Sequence, residues 1–437
     1  MKKTFRYLFV AAAITLAGCQ AKTQDQNLTA LVEQINNNDL YQFVDQKAGK
    51  ILATGFNAGD GYGEVWIRDF NTFVVHSLKY IDQQEVRQNL INFLRLQGED
   101  GNIADGFLIM PEGEKYDGDY YHTKEGVPEL IFHKNTVETD QEASLVQAVY
   151  KYIQASGDQS ILKAEVAGQT VLERLEASMN FLLEHRFDEK YGLLTGATTA
   201  DWGDVQPEHA WGVEIDEDTH FAIDIYDNAM FLIALDNLIA METDASKVSH
   251  WKSVHAKIKA NTMKHLWDEQ NEKFIPHIYL DGSPFPADFN ENEIYYHGGT
   301  AVAIEAGLLN REQVKKALDK MNENVKAANA ASIGLTMYPT YPKGYFKNEG
   351  MYPYGYQNGG DWTWFGARMI SQLVAYGYAE EAYEALQPMV ERVKVNDGFY
   401  EWYSVDNKPS GSGTFRGSAG VLLTAIEDLK GWASTAQ

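Results

Sequence analysis

The stretch GEVWIRDFNTF at 63–73 sets a cation and an anion, Arg68 and Asp69, side by side among Trp66, Ile67 and Phe70. Such a pair offers little as structure alone, because desolvation offsets most of the mutual attraction. Two other stretches hold carboxylates among aromatic rings. In FYEWYS, Glu401 stands beside Tyr400 and Trp402, and ADWGDV offers both Asp201 and Asp204 around Trp202. Acids on separate loops are what glycoside cleavage needs: one gives a proton to the leaving oxygen and, in the inverting route, another activates water on the opposite ring face. A carboxyl desolvated beside tryptophan keeps its proton to higher pH, as a proton donor must. Tryptophans among acids also suit a sugar, whose C–H faces pack on rings while its hydroxyls bond carboxylates and amides.

The loops carrying these residues alternate with segments whose apolar positions recur at helical spacing, at about 28–51, 70–80, 83–97, 139–156, 169–186, 224–241, 246–267, 299–308, 311–325, 361–376, 378–394 and 417–432. Short turns such as YIDQQ, METDASK, GLLNRE and YGYAEE join them in pairs. The connections between pairs are long and rich in Gly, Trp, Tyr, Asp and His. Internal pairs, plus one made by the two chain ends, close six hairpins into an all-α (α/α)6 toroid with the long loops at one mouth. No long alternating strand pattern interrupts them.

The chain starts MKKTFRYLFVAAAITLAGCQ, a basic stretch, a short apolar run and small residues before Cys19, the one cysteine. LAGC resembles the lipobox of bacterial lipoproteins. That resemblance implies a signal peptide at 1–18, a lipidated Cys19, a linker at 19–27, a catalytic domain at 28–437 and a place in the cell envelope; Gln20 points to the outer membrane. With Cys19 so used, no disulfide forms within the mature chain. A net charge of −25 argues against nucleic acid or anionic lipid as a partner, since both would be repelled.

WIRD, WGD, QNGGDWTW and YEWY…GSGTFRGSAG, in that order, resemble the inner-helix loops of the (α/α)6-barrel glycoside hydrolases: glucoamylases, debranching α-1,6-glucosidases, processing glucosidases, trehalases and neutral invertases. The resemblance implies that Arg68 and Asp69 grip hydroxyls of the terminal sugar, Arg68 keeping Asp69 ionised. It implies Glu401 as general base and Asp204 as general acid, with Asp201 as runner-up. Trp66, Trp202, Trp211, Asn358, Trp362, Trp364 and Trp402 are expected to line the sugar subsites. His297 and His133 are open between sugar binding and satisfying buried helix ends. Asp361 stands where relatives have a small or apolar residue and is expected to read an extra hydroxyl; Arg416 replaces an aromatic and points to a charged aglycone.

The acidic run EIDEDTH could hold Ca²⁺ around Asp216–Asp218, but it lacks the glycine and closing glutamate of an EF-hand loop and reads as a solvated face. With no HExxH, P-loop or dinucleotide fingerprint, no organic cofactor and no metal is expected. The sequence therefore predicts an exo-acting inverting α-glycosidase on α-glucosides or short α-gluco-oligosaccharides. The alternatives are an (α/α)-barrel epimerase, uronyl hydrolase or lyase, and a non-catalytic glycan-binding lipoprotein. Sugar, linkage, membrane face and oligomeric state are not legible.

Overall fold

Twelve helices carry the fold in the computed structural model, which describes residues 26–210 and 213–436. They are α1 (Asp39–Leu52), α2 (Ile67–Ser77), α3 (Gln83–Leu96), α4 (Gln141–Ser156), α5 (Val171–His185), α6 (Ile225–Met241), α7 (Ala245–His265), α8 (His297–Glu305), α9 (Arg311–Ala328), α10 (Thr363–Ala375), α11 (Ala379–Asn396) and α12 (Arg416–Thr435). The even-numbered helices pack in a ring, each on the next, and α12 closes back on α2. The helices α3, α5, α7, α9 and α11 each return outside the inner helix they follow, and α1 packs on α11 and α12. This is the (α/α)6 toroid, closed by the two chain ends as the pairing predicts.

The two rings differ in sequence because they differ in burial. Inner helix α6 is flanked on both sides and buries every residue from Ile225 to Leu235. Outer helix α9 buries only the stripe Val314, Ala317, Leu318, Met321 and Asn324, at amphipathic spacing. The segment predicted as one helix at 28–51 is broken at 37–38, where Asn38 ends helical residues 26–36 and caps α1 by accepting from Leu40 N–H.

Helix starts divide largely by ring, the exceptions being inner α6, capped by Asp224, and outer α11, which has no side-chain cap. Side chains of Asn38, Asp82, Thr170, Asp244 and Asn310 cap α1, α3, α5, α7 and α9. Inner helices α2, α8, α10 and α12 instead start after Trp66, Tyr296, Trp362 and Phe415, which make no side-chain cap. The first amides of α2, α8 and α12 are met from outside the helix, Ile67 N–H by the Asp105 carbonyl, His297 N–H by the Thr336 carbonyl and Arg416 N–H by the Ala58 carbonyl.

Among the described residues, seven short sheets depart from the all-helical expectation, and the largest lies at the mouth. Strands β1 (Val65–Trp66), β2 (Gly106–Ile109), β3 (His122–Thr123) and β4 (Leu130–His133) form an antiparallel sheet ordered β1-β2-β4-β3. Strands of two to four residues are too short for alternation to register. Gly106 pairs with Trp66 and with His133, and Ile67 N–H donates to Asp105 C=O at 2.7 Å. The sheet is thereby fastened to the first turn of α2.

Candidate active site

The first turns of α2 and α4, the starts of α10 and α12 and the loops before α6, α10 and α12 enclose a cavity of about 260 Å³. Trp202, Trp362 and Trp364 wall it, the first ring meeting each of the others edge-on at 4.8 Å. Asp69, Asp204 and Glu401 all open into it. These three acids influence one another. Burial raises Asp69 to about 7, against the lowering effect of Arg68, and Glu401 and Asp204 add to the rise. Burial also raises Glu401, while the Ser412 N–H and the Tyr62 hydroxyl favour its ionised form and Asp204 opposes it.

Each catalytic candidate is held at one oxygen. Glu401 is 5% exposed; its Oε2 accepts from Tyr62 Oη at 3.0 Å and from Ser412 N at 3.3 Å. Gly411, with φ +69°, packs so closely that a Cβ would stand 2.4 Å from that same oxygen. Half-buried Asp204 accepts from Gln357 Nε2 at Oδ1, 2.7 Å away. Among the described residues its Oδ2 has no hydrogen-bond partner. Among the described residues, the buried Trp202 and Trp364 Nε1, Gln141 Nε2, Gln357 Oε1 and Asp105 Oδ1 find no protein partner. All five residues line the cavity, although these particular atoms are themselves closed to solvent.

Residues 14–407 match the family model described as the glycosyl hydrolase 94 superfamily, catalytic domain. The chain belongs to the glycosyl hydrolase 94 superfamily. It is glycoside-hydrolase-like in sequence as well as architecture. No curated protein matches this superfamily member's sequence. Among solved structures, it is similar to the GH63 mannosylglycerate hydrolase from Thermus thermophilus in complex with glucose, with a TM-score of 0.61 and 15% identity over 87% of this chain and 99% of that one. The same hydrolase with Tris and D-glycerate gives 0.62 at 16% identity, again over 87% and 99%. A rhamnosidase from Klebsiella oxytoca with rhamnose bound gives 0.59 at 13% identity over 90% of this chain and 64% of that one. At these identities the likeness is one of fold.

Trp66, Arg68, Asp69, Trp202, Asp204, Trp362, Trp364 and Glu401 come together at the cavity of this superfamily member. His133 joins them from β4. Other expectations are corrected. Arg68 does not pair with Asp69: its Nε and Nη2 donate to Asp140 at 2.7 and 3.1 Å, and it also meets Glu138. Asp201 lies fully buried with φ +61°, its carboxylate accepting from Gly298 N at 2.8 Å and Gly299 N at 2.7 Å. It caps the start of α8. A Cβ at either glycine would come within 3 Å of a carboxylate oxygen, which explains the glycine pair of YYHGGT.

His297, 1% exposed, bonds the Ile333 carbonyl and Asn324, and burial lowers it to about 4. Asn358 is spent on the backbone of Tyr341 and Met351. Arg416 clamps Asn57 and Thr54 behind the cavity, so it meets no aglycone there. Trp402 packs at 6.4 Å on Tyr356, outside the lining. Asp216 accepts from Asp218 N–H and pairs with His209. Cys19 and Trp211 lie outside the described residues.

Asp361 is 1% exposed and bonds Ser332 and Arg392 Nη1, the latter at 2.8 Å, while the guanidinium lies 4.0 Å from the Tyr403 ring centre. It neutralises a buried cation and reads no hydroxyl. Asp361→Ala is expected to cost about 3–5 kcal/mol, because Arg392 would stay buried without its counter-charge. Denaturant unfolding measures this; an unmoved midpoint with a raised KM would restore the sugar-reading role.

His297 supplies a pH test. Its folded pKa of about 4 lies below the ordinary 6.5 of an unfolded histidine, so between those values the unfolded chain binds the extra proton. Its stabilising contribution is complete above pH 6.5 and falls by roughly 3 kcal/mol as pH drops to 4. The stability gap between wild type and His297→Asn should therefore narrow over that window. A constant gap refutes the assignment.

Proposed function

We propose that this chain is an exo-acting inverting α-glycosidase acting on α-glucosides or short α-gluco-oligosaccharides, with Asp204 as general acid and Glu401 as general base. The observation that carries the reading is that these two acids, from different loops, line one aromatic-walled cavity and act on each other electrostatically. Asp204 protonates the leaving oxygen through its unbonded oxygen as the bond to the anomeric carbon breaks. Glu401 takes the proton of a water that attacks from the far face. Asp69 accepts sugar hydroxyls; Arg68, fastened to Asp140, fixes the first turn of α2 that carries it. Membership of the superfamily and fold neighbours solved with glucose, rhamnose or D-glycerate are consistent with a sugar substrate. The epimerase reading loses support because His297 is turned into the structure. A pocket of this size favours a terminal sugar unit over an extended chain.

Early-time proton NMR on α-linked disaccharides tests the reading: β-anomer appearing first is expected. Release of the α-anomer first would overturn inversion, and no cleavage of any α-glycoside would overturn the assignment. We also propose export and lipidation at Cys19, checked by the mass of the mature N-terminal peptide; an unmodified Cys19 would refute it.

A further inference from the structure

We propose that the sheet side of the cavity, Tyr120 with His133 and Asp105, receives the leaving group and selects an uncharged sugar ring over a carboxylate-bearing one; this rests on the glycosidase reading above. Tyr120 is 56% exposed at the cavity rim and lines the cavity. Its ring stacks on His133 at 4.8 Å and 26°, and His133 in turn meets Trp66 edge-on at 6.2 Å. One face of Tyr120 is therefore backed by a rigid partner, as a stacking platform requires.

The polar groups beside the platform are suited to hydroxyls. His133 Nδ1 bonds Asp105 Oδ2 at 3.3 Å, leaving Asp105 Oδ1 buried and unpartnered among the described residues, as is Gln141 Nε2. Both atoms are closed to solvent, and a side-chain rotation that opened them would let a hydroxyl donate to the first and accept from the second. A carboxylate can do only the latter and would face Asp105, Glu64 and Glu214, whose fields all act on His133. Against the lowering effect of burial, His133 itself is raised by Asp105, Glu214 and Glu64, but its ring is already paired with Asp105 Oδ2, and the permanent cations nearby are committed elsewhere. Arg68 holds Asp140, Lys134 binds the Ile103 carbonyl, Gln141 and Glu142, and Arg416 holds Asn57.

The test compares wild type, Tyr120→Ala and Tyr120→Phe on three probes carrying one glycosyl unit: its fluoride, which has no ring beyond the scissile bond, a neutral disaccharide, and the glyceric acid glycoside. The ratio of kcat/KM for disaccharide over fluoride should fall roughly fivefold to tenfold in Tyr120→Ala and recover in Tyr120→Phe, the size of a lost ring contact. The disaccharide should outperform the glyceric acid glycoside in wild type. An unchanged ratio, or preference for the acid, overturns the proposal. If the fluoride is not hydrolysed, the catalytic reading fails instead. Tryptophan-fluorescence titration with the disaccharide then decides the subsite: weaker binding in Tyr120→Ala supports it and equal binding refutes it.

Discussion

Asp204→Asn is expected to lower kcat on an unactivated α-disaccharide by about 10²–10⁴, the usual worth of a general acid. The same change should cost far less on the glycosyl fluoride, whose leaving group departs without a proton. Asparagine keeps an oxygen to accept the 2.7 Å bond from Gln357 Nε2, so the side chain stays in place and the proton alone is lost. KM on the disaccharide should move little, since Asp204 acts on the leaving oxygen in the transition state. Equal losses on both substrates would reassign Asp204 to sugar binding. Asp201→Asn separates the runner-up: it removes a negative acceptor from the Gly298 and Gly299 amides, and its loss should appear in stability.

The toroid was legible because a helix repeats its pattern over many residues, and because inner and outer helices differ in how much of their surface is apolar. The acids of the cavity were legible because carboxylates rarely sit among tryptophans without a use. What failed was discrimination between neighbours in glycine-rich loops. QNGG drew attention to Asn358, but the side chain that reaches the cavity and Asp204 is Gln357, one residue earlier. Gln357 lies in a tight turn just after Tyr356 at φ +39°, and a turn has no repeat to say which side chain faces inward. Asp361 and Arg416 failed for a related reason. Their partners stand well apart in the chain: Arg392 returns on α11 of the same hairpin, and Asn57, before β1, is brought near only by closure of the ring. Tyr62 left a fainter trace, a lone ring among the glycines of GDGYG, and Tyr120 sat in an exposed polar stretch without any helical signal.

Glu401→Gln should reduce kcat by about 10²–10⁴ on the disaccharide and on the fluoride alike, because both need an activated water whatever their leaving group. That shared loss distinguishes base from acid more sharply than either magnitude alone. Ligand affinity should survive, since glutamine fills the same space between Tyr62 and Gly411. Tyr62→Phe then tests how the base is tuned. The Tyr62 hydroxyl donates to Oε2 and so favours the ionised carboxylate; without it Glu401 holds its proton to higher pH, and the acid limb of the kcat/KM profile moves upward. Asp69, at about 7, can shape the same limb, but the Tyr62 hydroxyl makes its hydrogen bond to Glu401, so the displacement between wild type and Tyr62→Phe belongs to the base. An unmoved limb together with a loss of turnover would make Tyr62 a steric wall of the cavity. A Glu401→Gln variant still active on the fluoride would show that water is activated by a different carboxylate, and Asp69 would then be the group to replace next.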